Sequence, residues 1–430
     1  HSEGDSNWWI RSGSTQFIAG IETFADAQNR FYVPISFTDP FGSKTSVHYY
    51  SNYVLLIDTT TDALLNQTSV LSFNMRTLSP ECIQDPNLNI SQAISDELGF
   101  IKTMAVFGKG AEADDLAGLT DFSSAADDLL TTNFLNSASS TALTSTGKSL
   151  LKHATARFVY DLDIYKNSGG TKPVVVASIM REQHYQQNNN SPIQISFEYS
   201  NGLGQVVMKK VQAEPGLAKQ VMVHPDDTYT ITIVDTSASL PPQLRWIGNG
   251  RTVLNNKGKT VKKYEPYFSV SYQYENLKEL VETGVTPLMY YDAMGRSMKT
   301  VFPDDTFSTT EFDSWKQLIY DQNDNILASA WYTNRFNHLI DAQLIAESKD
   351  PAKEKLSAQK TANHDSTPCA RYVDTMGKPI LQIEHSKDTS NVNVFYNTEV
   401  DLDIEGNVRR ITDARDNIQM QYKYDMLGNQ

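Results

Sequence analysis

The feature that most constrains this chain is a turn motif that recurs along almost its whole length. An acidic or amide residue stands three positions before a glycine, in copies that begin at Asp39, Asp96, Asn201, Asp292, Asp374, Asp403 and Asp425. An Asp or Asn side chain at the start of a turn accepts hydrogen bonds from backbone N–H groups further along, and glycine adopts the positive φ that closes the turn. Each copy therefore predicts the tip of a β-hairpin.

The residues between these turns alternate between apolar and polar side chains, as half-buried β-strands do. The alternation is regular in 193–199, 229–233 and 418–424. Further turn signals, rich in Asp and Asn, stand at 85–87, 321–325 and 413–417. The sequence therefore predicts a mainly β protein built as a ribbon, by which we mean a series of successive antiparallel hairpins.

Two stretches break the strand pattern and predict helices. Residues 111–148 are rich in Ala, Ser, Thr, Asp and Leu, with Leu129 and Leu130 as the strongest apolar pair, and we expect short helices in a surface insertion. Residues 341–364 are also helix-forming. Asp350 there is a predicted N-cap, followed by Pro351 at the first position of a helix that continues to Lys360. Residues 186–190 predict a polar loop.

Composition excludes several functions. The chain carries 51 Asp and Glu against 37 Lys and Arg, a formal net charge of −14, whereas nucleic-acid binding needs clustered Lys and Arg. No apolar run reaches the roughly 18 residues of a membrane span, and the first residues lack a charged-then-apolar signal. We interpret the chain, which opens at His1, as a piece of a longer protein with its targeting region elsewhere.

The signatures of catalysis are missing. The sequence has no G-x-x-x-x-G-K-[ST] phosphate loop, no H-E-x-x-H and no G-x-S-x-G nucleophile elbow. The G-x-G pairs at Gly108, Gly202 and Gly248 are interpreted as turns, and adjacent acids such as Asp114-Asp115 as solvated turns. No two of the eight histidines have metal-ligand spacing. We therefore predict no enzyme, and no catalytic, cofactor-binding or metal-binding residue.

The cysteines and the N-x-[ST] sequons give no evidence of a functional site. Cys82 and Cys369 lie far apart and outside any metal spacing, so we expect both to be buried small hydrophobes. N-x-[ST] sequons, at Asn66, Asn89 and Asn189, matter only if a eukaryotic secretory route applies.

One segment resembles a calcium loop. Asp401, Asp403, Glu405 and Gly406 match positions 1, 3, 5 and 6 of an EF-hand, but Thr412 stands where the bidentate Glu is needed. The flanking residues also have the pattern of strands. We favour a repeat turn over calcium binding.

The unit at 291–296 (YDAMGR), repeated at 424–429 (YDMLGN), resembles the YD-repeat or Rhs pattern, and 406–429 (GNVRRITDARDNIQMQYKYDMLGN) is a whole unit. The resemblance extends over nearly the whole chain to one family, the B component of ABC-type (Tc) insecticidal toxin complexes. The segments that carry it are 35–49, 154–165, 195–216, 245–269, 287–332 and 367–380. The blocks 245–269 and 287–332 are long enough to be specific, whereas in 111–148 the similarity rests on little more than length.

The resemblance implies a structural role. In such toxins the B and C components wind a ribbon of hairpins into a hollow shell around a cytotoxic polypeptide, and the B component also docks on a pore-forming A component through a propeller. This chain shows no propeller blades, and it lacks the aspartate autoprotease of the C component, so no catalytic residue is transferred. We expect part of that shell, a secreted product, and as partners the C component with its cargo and, through a missing upstream region, the A component.

The expected organisation is five consecutive segments without a compulsory domain boundary. These are hairpins with the first YD-like turns at 1–110, a helical or loop insertion at 111–150, shell hairpins at 151–340, a helical insert at 341–366 and YD-repeat hairpins at 367–430. We expect aromatic residues at strand ends to stack between successive hairpins, namely Tyr291, Trp315, Tyr320, Trp331, Tyr332 and Tyr424. We also expect the inner face of the shell to be mostly polar, because it must not bind its cargo tightly.

Two alternatives stay open. A cell-surface or wall-associated YD-repeat protein would use an exposed strand-rich surface for adhesion. A carbohydrate-active enzyme on a β-solenoid would need two convergent carboxylates in a long groove.

Overall fold

The computed structural model describes residues 13–51, 53–119, 122, 124–225, 228–388, 390–424 and 428–430. Its strands, in chain order, are β1 (Ser14–Gln16), β2 (Ser36–Thr38), β3 (Lys44–Tyr49), β4 (Ile57–Thr61), β5 (Gln67–Asn74), β6 (Ser79–Gln84), β7 (Ile90–Ser95), β8 (Ile101–Phe107), β9 (Ala156–Asp161), β10 (Val174–Arg181), β11 (Ile193–Ser200), β12 (Val206–Ala213), β13 (Leu217–Val223), β14 (Tyr229–Asp235), β15 (Arg245–Gly248), β16 (Thr252–Leu254), β17 (Thr260–Lys263), β18 (Tyr267–Ser269), β19 (Leu288–Tyr291), β20 (Ser297–Val301), β21 (Phe307–Phe312), β22 (Lys316–Tyr320), β23 (Cys369–Val373), β24 (Pro379–Lys387), β25 (Asn393–Leu402), β26 (Val408–Thr412) and β27 (Ile418–Gln421).

Among the described residues, the helices are fewer than the strands. They are α1 (Phe24–Asn29), α2 (Ala125–Leu135), α3 (Ser140–Leu151), α4 (Ile164–Asn167), α5 (Lys278–Val281), α6 (Ala330–Phe336), α7 (Asp341–Ala346) and α8 (Pro351–Thr361), with 3₁₀ turns at Thr236–Ala238, Ile326–Ala328 and Ala362–His364. None of these helices is both long enough and apolar enough to cross a membrane. The mainly β fold predicted from the turn repeat is confirmed.

The chain forms two compact units. The first comprises 1–249 and 266–280, and the second comprises 250–265 and 281–430. The hairpin of β16 and β17 belongs to the second unit, whereas the next strand, β18, returns to the first. The chain is therefore not one uniform series of hairpins between Gly250 and Val281.

The described strands of the first unit make a sixteen-stranded sheet. Its order is β1 through β12 in chain sequence, followed by β15, β18, β13 and β14. Every neighbouring pair is antiparallel except β13 and β18, which are parallel at Lys219 and Ser269. Consecutive strands thus pair with each other as far as β12, which is the ribbon that the sequence predicts.

The core of the first unit lies between this sheet and two helices. Ile195 and Phe197 of β11 are each 1% exposed, and Phe134 of α2 is fully buried and stacks on Phe197 at 5.8 Å. A Cβ on Gly147 of α3 would lie 3.2 Å from Ile193, so the helix backbone sits directly on the strand. The predicted helices in 111–148 are confirmed, but their assignment to a surface insertion is wrong.

The apolar residues that pack α3 against the sheet are not those that the sequence analysis singled out. Leu143 of α3 is fully buried, and Leu150 and Leu151 are each 1% exposed, whereas Leu129, one of the pair singled out from the sequence, is 62% exposed. The spacing Leu143, Gly147, Leu150 and Leu151 places these residues on one side of a helix. The helices therefore supply the second layer that a single sheet needs to form a core.

The second unit contains a nine-stranded sheet in which β19 to β27 follow chain order, and a separate pair of β16 and β17. Its helical segment is longer than predicted. The turn signal at 321–325 leads into a 3₁₀ turn and α6, so Trp331 and Tyr332 lie on a helix and the prediction that they end a strand is wrong. The helix start at Asp350 and Pro351 is confirmed, since the Asp350 carboxylate accepts a hydrogen bond from the N–H of Ala352 at 2.9 Å.

Alternation predicts burial only where a second layer covers the sheet. In β11 the predicted apolar face is buried, but in β27 Ile418 and Met420 are 54% and 51% exposed, and in β14 Ile233 is 71% exposed. Both strands end a sheet in the described part of the chain. The strands are confirmed, whereas the inference that they are half-buried is wrong at these sheet ends.

Candidate functional surface

The hairpin tips share one hydrogen-bond geometry, which the tip at Asp374 illustrates. Its carboxylate Oδ1 accepts hydrogen bonds from the backbone N–H groups of Met376 at 2.9 Å and Lys378 at 2.8 Å. The backbone N–H of Asp374 donates to the Lys378 carbonyl at 2.9 Å, and that of Gly377 donates to the Asp374 carbonyl at 3.0 Å. Gly377 has φ +77°, the left-handed conformation that glycine adopts without strain.

The same set of bonds recurs at the turns that begin with Asp39, Asp62, Asp85, Asp96, Asn201, Asn255, Asp292, Asp388, Asp403 and Asp413. The predicted turns are therefore confirmed at every copy that the structure describes. The copy at Asp425 lies outside the described residues.

Three of these turns, at Asp62, Asn255 and Asp388, were not predicted from the sequence. Asn255 fits the motif through Gly258, but Asp62 and Asp388 have Leu65 and Asn391 at the position with positive φ. A second signal is an Asn four residues after the Asp, which occurs at the Asp62, Asp85 and Asp413 turns, all without glycine, and also at the Asp403 turn, which has Gly406. The amide of Asn66 donates to Asp62 Oδ2 at 2.8 Å, and the pairs Asp85 with Asn89, Asp403 with Asn407 and Asp413 with Asn417 repeat this contact.

At Asp62, Asp85, Asp292, Asp403 and Asp413 these bonds lower the pKa of the turn carboxylate. The N–H groups of Asn417 and Arg415 lower the pKa of Asp413 to about 2. The Asn66 amide lowers the pKa of Asp62, and the N–H of Asn407 lowers that of Asp403. A carboxylate held in this way is ionised at neutral pH and occupied by backbone donors, so it is suited to closing a turn and not to transferring protons.

The calcium-like segment is such a turn. Asp403 begins this turn and accepts its backbone N–H groups. Asp401 lies in β25 and forms an ion pair with Arg410 at 2.6 Å. Thr412 ends strand β26. In the described ranges, no three His, Cys, Asp or Glu side chains converge in a way that could hold a metal ion.

Asp114, expected in a solvated turn, is in fact 1% exposed. Its carboxylate accepts hydrogen bonds from the Thr155 hydroxyl and the Tyr185 N–H, both at 2.6 Å, and lies 3.0 Å from His184 Nδ1 and 3.6 Å from Arg181 Nε. Both Thr155 and His184 contact the carboxylate and not each other, unlike the nucleophile and base of a catalytic triad. The cluster fastens the segment after β8 to the loop after β10.

His153 adjoins this cluster: its ring stacks on that of Tyr185 at 3.8 Å, and its Nδ1 lies 3.0 Å from Asp115. Three other histidines lie elsewhere. His48 pairs with Asp58 at 2.7 Å, His338 pairs with Asp341 at 2.9 Å, and His385 stacks on Phe395 at 4.5 Å.

A further buried ion pair of the first unit joins Lys210 to Glu275. The side chain of Lys210, on β12, is fully buried. Glu275 also accepts hydrogen bonds from Tyr267 at 2.8 Å and Ser269 at 2.6 Å. Burial lowers the pKa of Lys210 and raises that of Tyr267. This cluster holds the irregular segment after β18 against the sheet.

The remaining predicted positions have structural surroundings. Cys82 and Cys369 are partly exposed, so the prediction that both are buried is wrong. Burial and the neighbouring Glu384 raise the pKa of Cys369 to about 11. Gly248 lies in β15 and not in a turn, and a Cβ there would lie 2.7 Å from the Tyr267 ring.

Two of the strand-end aromatics contact a neighbouring strand through their hydroxyl groups. Tyr291 donates to the Thr260 carbonyl at 2.6 Å, and Tyr424 donates to the Val408 carbonyl at 3.0 Å. Trp315 is 56% exposed.

The face of β9–β12 opposite α2 and α3 is an open depression that mixes apolar and polar side chains. Those lining it include Phe158, Val176, Ser178, Met180, Ser196 and Val211. The hydroxyls of Ser178 and Ser196 are 2.7 Å apart, and Lys209 pairs with Glu198 at 2.6 Å. Most of the exposed lining of this depression is apolar, and the Lys209 and Glu198 charges beside it are paired.

Neither a protein-family model nor a curated protein matches the chain. Solved structures do. The crystal structure of TcdB2-TccC3 is 19% identical with a TM-score of 0.64, and the match covers 97% of this chain and 18% of that one. The crystal structure of TcdB2-TccC3 without its hypervariable C-terminal region is 18% identical, with a TM-score of 0.62 over 94% of this chain and 19% of that one.

The structure of the Photorhabdus luminescens Tc holotoxin pore also matches, at 18% identity and a TM-score of 0.61 over 92% of this chain and 19% of that one. The chain thus spans less than a fifth of the length of each of these three chains. It has the fold of these Tc toxin structures, which confirms the fold expected from the resemblance.

Proposed function

We propose that this chain is a segment of the shell of a Tc-type toxin complex, which encloses a cytotoxic polypeptide together with a C component. The observation that carries the proposal is the match to TcdB2-TccC3 over 97% of the chain. The proposed product is secreted as part of that complex and has no chemistry of its own. Contact with an A component would involve a region upstream of this chain.

The hairpin ribbon supports this role. A ribbon in which each hairpin pairs with the next can be extended without limit, because neighbouring units bury what one hairpin cannot bury alone. The turn bonds come mainly from the backbone and one Asp or Asn, so other tip positions vary freely. Such a chain suits a wall, whose size depends on the number of repeats.

The open face of β9–β12 supports the enclosing role in a second way. A wall that holds an unfolded polypeptide must not bind it tightly, or release would be slow. On that face Lys209 pairs with Glu198 and the hydroxyls of Ser178 and Ser196 bond to each other, so it carries little net charge and polar groups interrupt its mostly apolar side chains. We infer that this face, and not the helix-covered one, is turned towards the cargo.

The proposal is tested by co-expressing the full-length parent protein with a C component encoded beside it. We expect the two proteins to co-purify and to form closed particles with internal density in electron micrographs. Two separate, non-associating proteins would contradict the proposal. Binding of the parent alone to cell surfaces, without any C component, would favour the adhesion alternative.

A further inference from the structure

The pair Asn-Gly occurs twice in the chain, and the structure places the two copies in opposite surroundings. The first is Asn201-Gly202, at the hairpin tip between β11 and β12, and the second is Asn249-Gly250, after β15. Glycine has no side chain, so its backbone nitrogen is the least hindered of any residue for attack on the side-chain amide of a preceding asparagine. Both pairs therefore carry the groups for intramolecular deamidation.

This reaction needs water and no other reactant. The glycine nitrogen loses its proton to solvent base and attacks Cγ of the asparagine, so that a new N–C bond forms. The Cγ–Nδ2 bond then breaks, and Nδ2 takes up a proton from solvent and leaves as ammonia. Water opens the resulting cyclic imide at either carbonyl and gives aspartate or isoaspartate. The net change is hydrolysis of an amide, with one water consumed, one ammonia released and no change of oxidation state.

The turn bonds of Asn201 favour attack on its side chain. Its Oδ1 accepts hydrogen bonds from the backbone N–H groups of Leu203 at 2.9 Å and Gln205 at 3.0 Å. Two donors aimed at one carbonyl oxygen stabilise the negative charge that develops there when the carbon is attacked. The nitrogen that leaves, Nδ2, contacts Gln205 Oε1 at 3.3 Å. The turn thus holds the amide by the oxygen that gains charge.

The attacking group is free to react. Gly202 is exposed, and a Cβ built on it would meet nothing within 4 Å. The turn engages the N–H groups of Leu203, Gly204 and Gln205, whereas that of Gly202 has no hydrogen bond within the part of the chain that the structure describes. Solvent base can therefore reach this nitrogen, and no contact has to break before it attacks.

The second pair is held in place. Asn249 Oδ1 accepts a hydrogen bond from the backbone N–H of Lys209 at 3.0 Å, and the N–H of Asn249 donates to the Lys209 carbonyl at 3.1 Å. Gly250 is buried, with φ +71°, and a Cβ on it would lie 2.4 Å from the Tyr264 carbonyl oxygen. A backbone packed this closely cannot shift to close the imide ring without local unfolding.

We propose that Asn201 is a site of spontaneous deamidation in the folded protein, whereas Asn249 is protected by the fold. The aspartate product retains the turn, because an Asp carboxylate accepts the same two N–H groups at most of the other tips. It adds a negative charge at an exposed hairpin tip. The isoaspartate product lengthens the backbone of that tip by one methylene. The inference rests on turn chemistry and does not depend on the proposed shell function.

The test is peptide mass spectrometry of the full-length parent after incubation at mildly alkaline pH, in native buffer and in urea. For each asparagine, the deamidation rate in native buffer is divided by the rate in urea, which removes the effect of neighbouring residues. We expect this ratio to be at least about tenfold higher for Asn201 than for Asn249. A ratio for Asn201 no higher than that for Asn249, or native protein that does not deamidate at Asn201, would overturn the inference.

Asn255 is an internal control for the role of glycine. Its Oδ1 accepts the same two turn bonds, from Lys257 at 2.9 Å and Lys259 at 3.0 Å, but the next residue is Asn256. The side chain of Asn256 hinders attack by its backbone nitrogen. We expect Asn255 to deamidate at least about tenfold more slowly than Asn201 in the native protein. Equal rates at Asn255 and Asn201 would contradict the assigned role of Gly202.

A matched pair of variants gives a second readout. Gly202→Ala adds a methyl group in open space at a position where φ is not positive, so the fold is retained. We expect it to slow deamidation of Asn201 by at least about tenfold, with no fall in melting temperature. Asn201→Asp supplies the aspartate product directly and should melt as the wild type does. Unchanged deamidation in Gly202→Ala, or a lower melting temperature in Asn201→Asp, would overturn the inference.

Discussion

At the scale of single residues, the aspartate that begins most of the turns contributes both a negative charge and the hydrogen bonds that hold the turn. Its carboxylate accepts two backbone N–H groups, and at Asp413 these bonds lower the pKa to about 2. Part of the acidity of the chain therefore comes from turn geometry. Acidic side chains that bond to their own backbone in this way need no basic partner.

The first prediction concerns the pH dependence of this contribution. An aspartate with a pKa of about 2 when folded and about 3.9 when unfolded stabilises the fold fully above about pH 5, and this stabilisation is lost as the pH falls through about 2. Asp413→Asn keeps an oxygen acceptor but not the charge. We expect it to be less stable than wild type at about pH 6 and nearly equal to it close to pH 2.

The measurement is urea unfolding of both proteins across this pH range. The control is Asp416→Asn, which removes a charge in the same turn without changing the acceptor at Asp413. A stability difference between wild type and Asp413→Asn that is the same at both pH values would contradict the assignment.

The second prediction concerns the buried ion pair of Lys210 and Glu275. Glu275→Gln leaves the fully buried Lys210 without a counter-charge, and removing one partner of a buried pair typically costs about 3–5 kcal/mol. The double variant Lys210→Met and Glu275→Gln removes both charges and keeps an acceptor for Tyr267 and Ser269. We therefore expect the double variant to recover most of the free energy of unfolding, as measured by urea unfolding. A double variant no more stable than Glu275→Gln would contradict the assignment of the loss to the unpaired charge of Lys210.

At the scale of elements, the helices α2 and α3 matter more than their sequence indicates. Phe134 is fully buried against Phe197, whereas Leu129, five residues earlier in the chain, is 62% exposed. Phe134→Ala should lower the free energy of unfolding by about 3–5 kcal/mol. The matched control Leu129→Ala should change it by less than about 0.5 kcal/mol. Similar losses in the two variants would contradict the burial of this helix pair.

These elements also show how far the sequence predicts the fold. The turns were predictable because Asp, Asn and Gly act locally, within five residues. Burial of α2 and α3 was not, because Gly147 reveals its role only when Ile193 and Ile195 lie opposite it. The exposure of Ile418 and Met420 was missed for the same reason, since alternation marks a face but not whether a second layer covers it.

The surface features were less predictable than the fold. The exposure of Ile233 depends on the strand order that places β14 last in its sheet. Asp114 was expected in a solvated turn, yet Thr155, Tyr185 and His184, distant in sequence, enclose it. Long-range contacts of this kind leave no periodic signal in a single sequence.

At the scale of the whole molecule, the central claim is that this fold forms a wall and that the wall encloses a polypeptide. The most direct measurement is protease protection of the cargo region in the assembled complex of full-length parent and C component. The shell account predicts that the cargo survives a protease dose that digests the same cargo when it is free, and that it becomes sensitive once the shell is denatured. Digestion of the cargo at the same rate in the intact complex as in the free state would contradict the account.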